Sequence, residues 1–306
     1  MRAVSYDAYA PDNSRLRYGE LPDPKVAPGQ VLIAVRAAGV NPVDWKLMAG
    51  GLDPLMDAAF PVIPGWDVAG VVVRTGPDVP EFAPGDEVMS YARKETVHGG
   101  TFAEYVAVDA SAVARKPAGL DWAQAAGLPL AGLTALRTLD WLAVDRDDVL
   151  LVHGAAGGVG SLAVQLAAAR GAQVIGTASE RNHAFVRGLG AEPVAYGEGL
   201  VERVRALVPG GVSTVADFVG GQLETSLAVL APGGRHASIA DPAVEQHGGH
   251  WVWVRPDGAK LAELAGLADL GALTVEVSAT FPLEKAAEAF DASRTGHTRG
   301  KIVIVP

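Results

Sequence analysis

The sequence predicts an α/β protein, in which a doubly wound parallel sheet is joined to a smaller, mostly β region. Up to about Gly119 the chain reads as short apolar strands broken by Pro and Gly. After Pro117 it changes to Ala- and Leu-rich helices alternating with strands too apolar to be half exposed, as a parallel sheet covered on both faces requires. Between one such strand and one such helix lies a run of small residues, His153-Gly154-Ala155-Ala156-Gly157-Gly158-Val159-Gly160, fit for a tight strand-to-helix turn.

Apolar runs bounded by turn residues predict strands over 30–37, 67–74, 86–90 and 101–108 in the first part. Helices over 121–128 and 134–142 follow, the first opened by Asp121. The continuous apolar run 149–153 is a buried strand, and 159–170 is the helix after the glycine turn. Further strands are expected over 173–177, 193–196, 214–218 and 235–239, with short crossover helices over 202–207 and 223–230. A polar stretch over 241–250 carries Gly and His, with no role assigned to His247 or His250. Beyond it come a strand over 251–254, a helix over 260–270, a strand over 273–277, a helix over 283–293 and a closing strand over 301–305. An α/β domain already closed has little use for this tail, so it is expected to return to the first region.

At 306 residues the chain is long enough for two domains and a core that excludes water from a reaction site. Hydrophobic residues make up 49% and charged residues 20%, the profile of an ordered globular protein. The net charge is -10 and the basic residues are scattered, so nothing is built to neutralise nucleic-acid phosphates or grip anionic lipid. The N-terminus has no apolar signal core, and no run approaches the roughly 18 apolar residues of a membrane helix. A cytoplasmic protein with neither nucleic acid nor membrane as partner is the expectation. The absence of cysteine excludes disulfides and thiolate metal sites.

A glycine fingerprint is convincing only between a buried strand and a helix, and 153–160 has that setting. Small residues let the backbone approach a pyrophosphate, which then meets the free N–H groups and positive dipole end of the helix. Gly157, Gly158 and Val159 are the expected pyrophosphate residues; Ala155 replaces the first glycine of the G-x-G-x-x-G pattern. NAD-specific folds place a carboxylate about 20 residues on, at the end of the next strand, to hold the ribose 2′-hydroxyl. Here the strand runs into Ala178-Ser179-Glu180-Arg181, with no acid at its end. Ser179 can bond a 2′-phosphate and Arg181 can fork onto it, which favours NADPH. An inward-pointing Glu180 would spoil this, and a solvated helix charge is the alternative for Arg181.

The chain resembles the zinc-independent quinone oxidoreductase branch of the medium-chain dehydrogenase/reductase superfamily. The markers are Ala38-Gly39-Val40-Asn41-Pro42-Val43-Asp44, Ile63-Pro64-Gly65-Trp66-Asp67-Val68-Ala69-Gly70, Gly99-Gly100-Thr101-Phe102-Ala103-Glu104-Tyr105, Leu130-Ala131-Gly132-Leu133-Thr134-Ala135, the glycine loop, and Arg299-Gly300-Lys301-Ile302-Val303. The resemblance implies a GroES-like catalytic domain from both chain ends, 1–118 and 272–306, around a Rossmann domain, 119–271, that holds NADPH. It also implies a homodimer pairing edge strands, with 251–254 as the candidate edge. Zinc-dependent members carry a Cys near position 41 and a His near position 66; Asn41 and Trp66 stand here, so no metal is expected.

Without a Lewis acid, easy hydride acceptors are the expected substrates: quinones, enones, alkenals or enoyl thioesters. The resemblance places Asn41 and Thr134 close to the nicotinamide and its ribose, although Asn41 also reads as a turn cap before Pro42. Tyr196, Val219 and Ile239, at or just after the ends of three strands, complete the expected cofactor set. Lys46 stands where many relatives carry a Tyr and is one candidate donor to the developing oxyanion; Tyr91 is another, with His98 beside it. A solvated surface role is the alternative for each. Trp45, Met48, Met56 and Trp66 either line an acceptor pocket or fill the core. An enoyl reductase acting on carrier-bound acyl chains, and a non-catalytic NADPH sensor, are the competing functions.

Overall fold

The computed structural model describes residues 1–306, which form two compact units: Met1–Leu130 with Arg255–Pro306, and Ala131–Val254. No helix is long and apolar enough to cross a membrane.

The second unit is a six-stranded sheet in the order Ala191–Ala195, Gln173–Ala178, Val149–His153, Val212–Asp217, Leu230–Ser238, His250–Trp251, with every neighbouring pair parallel. The order reverses beside Val149–His153, and that crevice is where doubly wound sheets take their ligands. Leu151, Ile175, Val194, Val204 and Val215 form a core against one face. The helix Gly158–Ala169 is buried continuously from Gly160 to Ala167, covered on all sides, with Ser161 and Gln165 its buried polar side chains.

The first unit is built on a seven-stranded sheet. Its path is Val277–Pro282, Lys301–Val305, Gln30–Val40, Asp67–Thr75, Glu87–Tyr91, Val113–Arg115, with Tyr105–Asp109 also on Gln30–Val40. The closing strand pairs antiparallel with Gln30–Val40, Val303 opposite Gly39, so the tail does return to the first region. Gly39 has no room for a side chain, since a Cβ there would lie 2.4 Å from Ala126 O.

Several expectations are corrected. The units divide after Leu130 and before Arg255, so the second unit lies within the span 119–271 expected for the Rossmann domain. The helix Trp122–Gly127 packs on the strands Gln30–Val40 and Asp67–Thr75, and Gly258–Asp269 packs on Val113–Arg115, so both belong to the first unit. The strand expected over 251–254 is only His250–Trp251, because the N–H of Val252 makes the last bond to Ser238 O and the chain then leaves the sheet. The strand expected over 273–277 begins at Val277, where pairing with Lys301 starts; Leu273 and Val275 are buried as a connector. The strand expected from 101 begins at Tyr105, since Thr101, Phe102 and Glu104 bond Gly65, Pro64 and Arg2 instead. The helix Pro42–Met48 was not expected, and Pro242–His247 forms a short 3-10 helix capped by Asp241.

Candidate functional site

The turn after Val149–His153 begins at Gly154, whose φ of 74° is left-handed. Gly154 N–H donates to Thr177 Oγ1 at 3.0 Å, and Gly157 N–H returns to Gly154 O at 2.9 Å, which closes the turn. Gly160 admits no side chain: a Cβ there would lie 2.1 Å from Gly154 O. The helix Gly158–Ala169 follows with Gly157 at its N-cap and no side chain capping it. Its first N–H groups therefore have no partner within the helix and sit at its positive end. The Gly157 N–H is taken by Gly154 O, whereas Gly158 and Val159 leave their N–H groups open at this end. Ala155 does not join them: it is fully buried and its N–H already donates to Thr177 O, so it supports the turn from beneath.

The neighbouring strand ends close by. The two oxygens of Asp217 accept from Val219 N–H at 2.9 Å and from Ser238 Oγ at 2.9 Å, which fixes the turn after the strand Val212–Asp217. Val219, 59% exposed, rests against Gly154, and Ile239 N–H donates to Asp217 O. Tyr196 is 57% exposed just beyond Ala191–Ala195. Ser179 is half-buried and accepts from Asn182 Nδ2 at 3.2 Å, while Glu180 and Arg181 are both exposed in the short turn that follows. These side chains all stand at the carboxyl ends of parallel strands. Thr134 is buried in the helix Pro129–Trp141, where its carbonyl accepts from Thr138 Oγ1.

In the first unit Asn41 caps the helix Pro42–Met48, and its N–H donates to Asp44 Oδ2 at 2.7 Å. Its amide is engaged at both ends, giving Nδ2–H to Asp67 Oδ2 at 2.8 Å and accepting from the Lys301 ammonium. Lys301 also donates to Val40 O at 3.1 Å and lies 3.8 Å from Asp67 Oδ2, whose partner oxygen accepts from Leu130 N–H at 2.8 Å. Burial dominates the titration of this cluster. It raises Asp67 to about 6 and Asp44 to about 8, and it lowers Lys301. Asp44 Oδ1 has no hydrogen-bond partner.

The two residues expected as oxyanion donors are placed differently. Lys46 is exposed, its ammonium 5.6 Å from the ring centre of Trp45. Tyr91 is in the strand Glu87–Tyr91 rather than a surface loop; it is 2% exposed, packs edge-on against Trp66, and burial raises its phenol. Met48 and Met56 are buried, and Trp45 lies against Ser293 and Arg294. Trp66 lines a narrow pocket with Tyr6, Asp44, Lys94 and His98. The Lys301–Asn41–Asp67 cluster was missed by sequence reasoning, and its one signal was a lysine inside the apolar closing strand. A metal does not fit here: the Asn41 amide is engaged, Trp66 offers no ligand, and no group of three or more His, Asp or Glu is placed to hold an ion.

Comparison with known proteins places these features. Residues 27–118 match the alcohol dehydrogenase GroES-like domain, and residues 189–304 match the zinc-binding dehydrogenase family. A quinone oxidoreductase of Triphysaria versicolor, named chloroplastic, is 33% identical over 100% of this chain and 98% of its own length. An Arabidopsis thaliana NADPH-dependent alkenal/one oxidoreductase, also named chloroplastic, is 36% identical over 92% of this chain and 74% of its own. A mycobacterial structure complexed with NADPH superposes with a TM-score of 0.87 at 30% identity, covering 100% of both chains. The glycine loop of the parallel sheet, the GroES-like unit and these likenesses together make the chain a member of the medium-chain dehydrogenase/reductase superfamily, in its quinone oxidoreductase-like branch.

Proposed function

We propose that this protein binds NADPH in preference to NADH and reduces quinones or α,β-unsaturated carbonyl compounds without a metal. The observation that carries the reading is the uncapped helix after the glycine turn together with a next strand that ends at Ala178, with no acid at its end, and leads into Ser179 and Arg181. When bound, NADPH supplies the hydride. Gly158 and Val159 hold the pyrophosphate by backbone N–H groups, Gly157 lets the chain approach it closely, and Ser179 with Arg181 holds the 2′-phosphate. Tyr196, Val219 and Ile239 flank the dinucleotide along the strand ends. The relatives named for quinone and alkenal reduction, and the one complexed with NADPH, support the same choice.

In the absence of a zinc ligand set the protein must use acceptors whose product anion is already delocalised, which quinones and enals provide. The open edge at His250–Trp251, with Trp253 and Trp141 exposed beside it, is proposed to pair with a second copy of the chain. Purified protein mixed with NADPH and either phenanthrenequinone or hexenal tests the reading: the nicotinamide absorbance should fall with at least one acceptor. Tight NADPH binding with no consumption by either would favour a sensor and contradict it.

A further inference from the structure

The narrow pocket of the first unit has an unusual floor. Tyr6 lines it, is only 1% exposed, and is held by its ring against Phe60 and by its backbone on Val62. Its hydroxyl bonds no protein atom. Asp44 lines the same pocket with its unpartnered Oδ1, and Lys94 lines the rim, giving one N–H to Gly99 O at 2.8 Å. A buried phenol without a partner is costly unless something else completes its hydrogen bond.

The charges around this floor are of one kind. Burial raises the Tyr6 phenol well above its ordinary value, so it stays a donor at any working pH. Burial also holds Asp44 up at about 8, so near neutrality the carboxyl is mostly uncharged. Asp67 and Lys301 offset one another behind it, Tyr91 is neutral, and His98 stands at the exposed rim. Burial lowers the Lys94 ammonium from its ordinary value, yet it is the one basic side chain that gives an N–H within the pocket, where the groups offer hydrogen bonds rather than accept them. The free interior admits about one water-sized group. An oxygen atom fits such a space; a ring or an alkyl chain does not.

We propose that this pocket receives the carbonyl oxygen of the acceptor, with Tyr6 Oη as its hydrogen-bond donor and the Lys94 ammonium supplying positive charge as that oxygen becomes anionic. The assignment rests on the reductase reading above. When hydride adds to the β-carbon of an enone, the C=C electron pair moves and the carbonyl oxygen takes the charge as an enolate. Tyr6 keeps its proton and donates a hydrogen bond to that oxygen, and water supplies the proton that completes the saturated product. A donor already in place needs no rearrangement as the charge develops.

The test uses the whole protein without nucleotide and p-nitrophenol as probe, because its phenolate resembles the enolate oxygen and its absorbance reports both binding and ionisation. Wild type should bind the phenolate in preference to the phenol. Tyr6→Phe should bind it about ten- to a hundredfold more weakly, the loss of one hydrogen bond to a charged oxygen. The same variant should melt no lower than wild type, since the hydroxyl has no protein partner to lose. Lys94→Gln should raise the apparent pKa of the bound probe. Unchanged probe affinity in Tyr6→Phe, or a weaker affinity accompanied by a lower melting temperature, overturns the assignment. With NADPH and hexenal present, Tyr6→Phe should lose kcat/KM, and undiminished turnover overturns it too. Wild type that binds phenolate through Tyr6 yet consumes no NADPH supports the oxygen pocket and contradicts the reductase reading instead.

Discussion

The glycine turn at 153–160 and the buried cluster around Lys301 solve opposite electrostatic problems. The turn leaves backbone N–H groups uncapped at a helix end, ready for an anion from outside. The cluster takes two carboxylates and an ammonium out of water and satisfies them largely from within, through Asn41, Val40 O and Leu130 N–H. One is a site because it is incomplete; the other is a support because it is nearly complete. The exception in the cluster is Asp44 Oδ1, and it lies on the wall of the one pocket described for that unit.

The contrast breaks hardest at Lys301. Lys301→Met should destabilise the protein by roughly 3–5 kcal/mol, since it leaves Asp67 buried with neither its ammonium nor an unstrained Asn41. Urea denaturation checks this, and a loss within experimental scatter would make the cluster incidental. At the turn, Gly160→Val should lower NADPH affinity about a hundredfold, because the Cβ can be accommodated only by moving Gly154 and the N–H groups with it. Nicotinamide fluorescence reads that loss, and circular dichroism shows whether the sheet survives.

A pH titration sharpens the cluster side. Asp44 keeps in the folded chain, up to about 8, a proton that the unfolded chain gives up near 3.8. Its contribution to stability is therefore present in full below the unfolded value and is lost as pH rises through about 8. The stability of wild type relative to Asp44→Asn should fall across that window; a pH-independent difference would mean Asp44 is ionised throughout. Arg181→Ala should weaken NADPH about tenfold and leave NADH unchanged, as the loss of one guanidinium–phosphate contact predicts. The smallest effect belongs to Lys46→Ala, whose exposed ammonium rests on Trp45 and should change kcat/KM less than about threefold.

The same contrast explains what could be read from the chain. The glycine turn is local: strand, small residues and helix are contiguous, so the turn itself was legible. What a pattern does not show is that the Ala155 N–H is already bonded to Thr177 O. The cluster joins positions 41, 44, 67 and 301, brought together only when both Asp67–Thr75 and the closing strand pair with Gln30–Val40. Without those registers nothing marks Lys301 as Asn41's partner, and only the Tyr6–Val62 bridge brings Tyr6 to the pocket that Asp44 lines. The division into units is non-local in the same way: the Ala-rich periodicity of 121–128 and 260–270 announces helices but not which sheet they cover.

The central claim, that the uncapped turn and the Ser179–Arg181 strand end select NADPH, is tested most directly by titrating the purified protein with NADPH and NADH under identical conditions. NADPH binding at least about tenfold tighter is the expected result. Equal affinities would contradict the assignment of Ser179 and Arg181, and binding of neither would contradict the reading of the glycine turn itself.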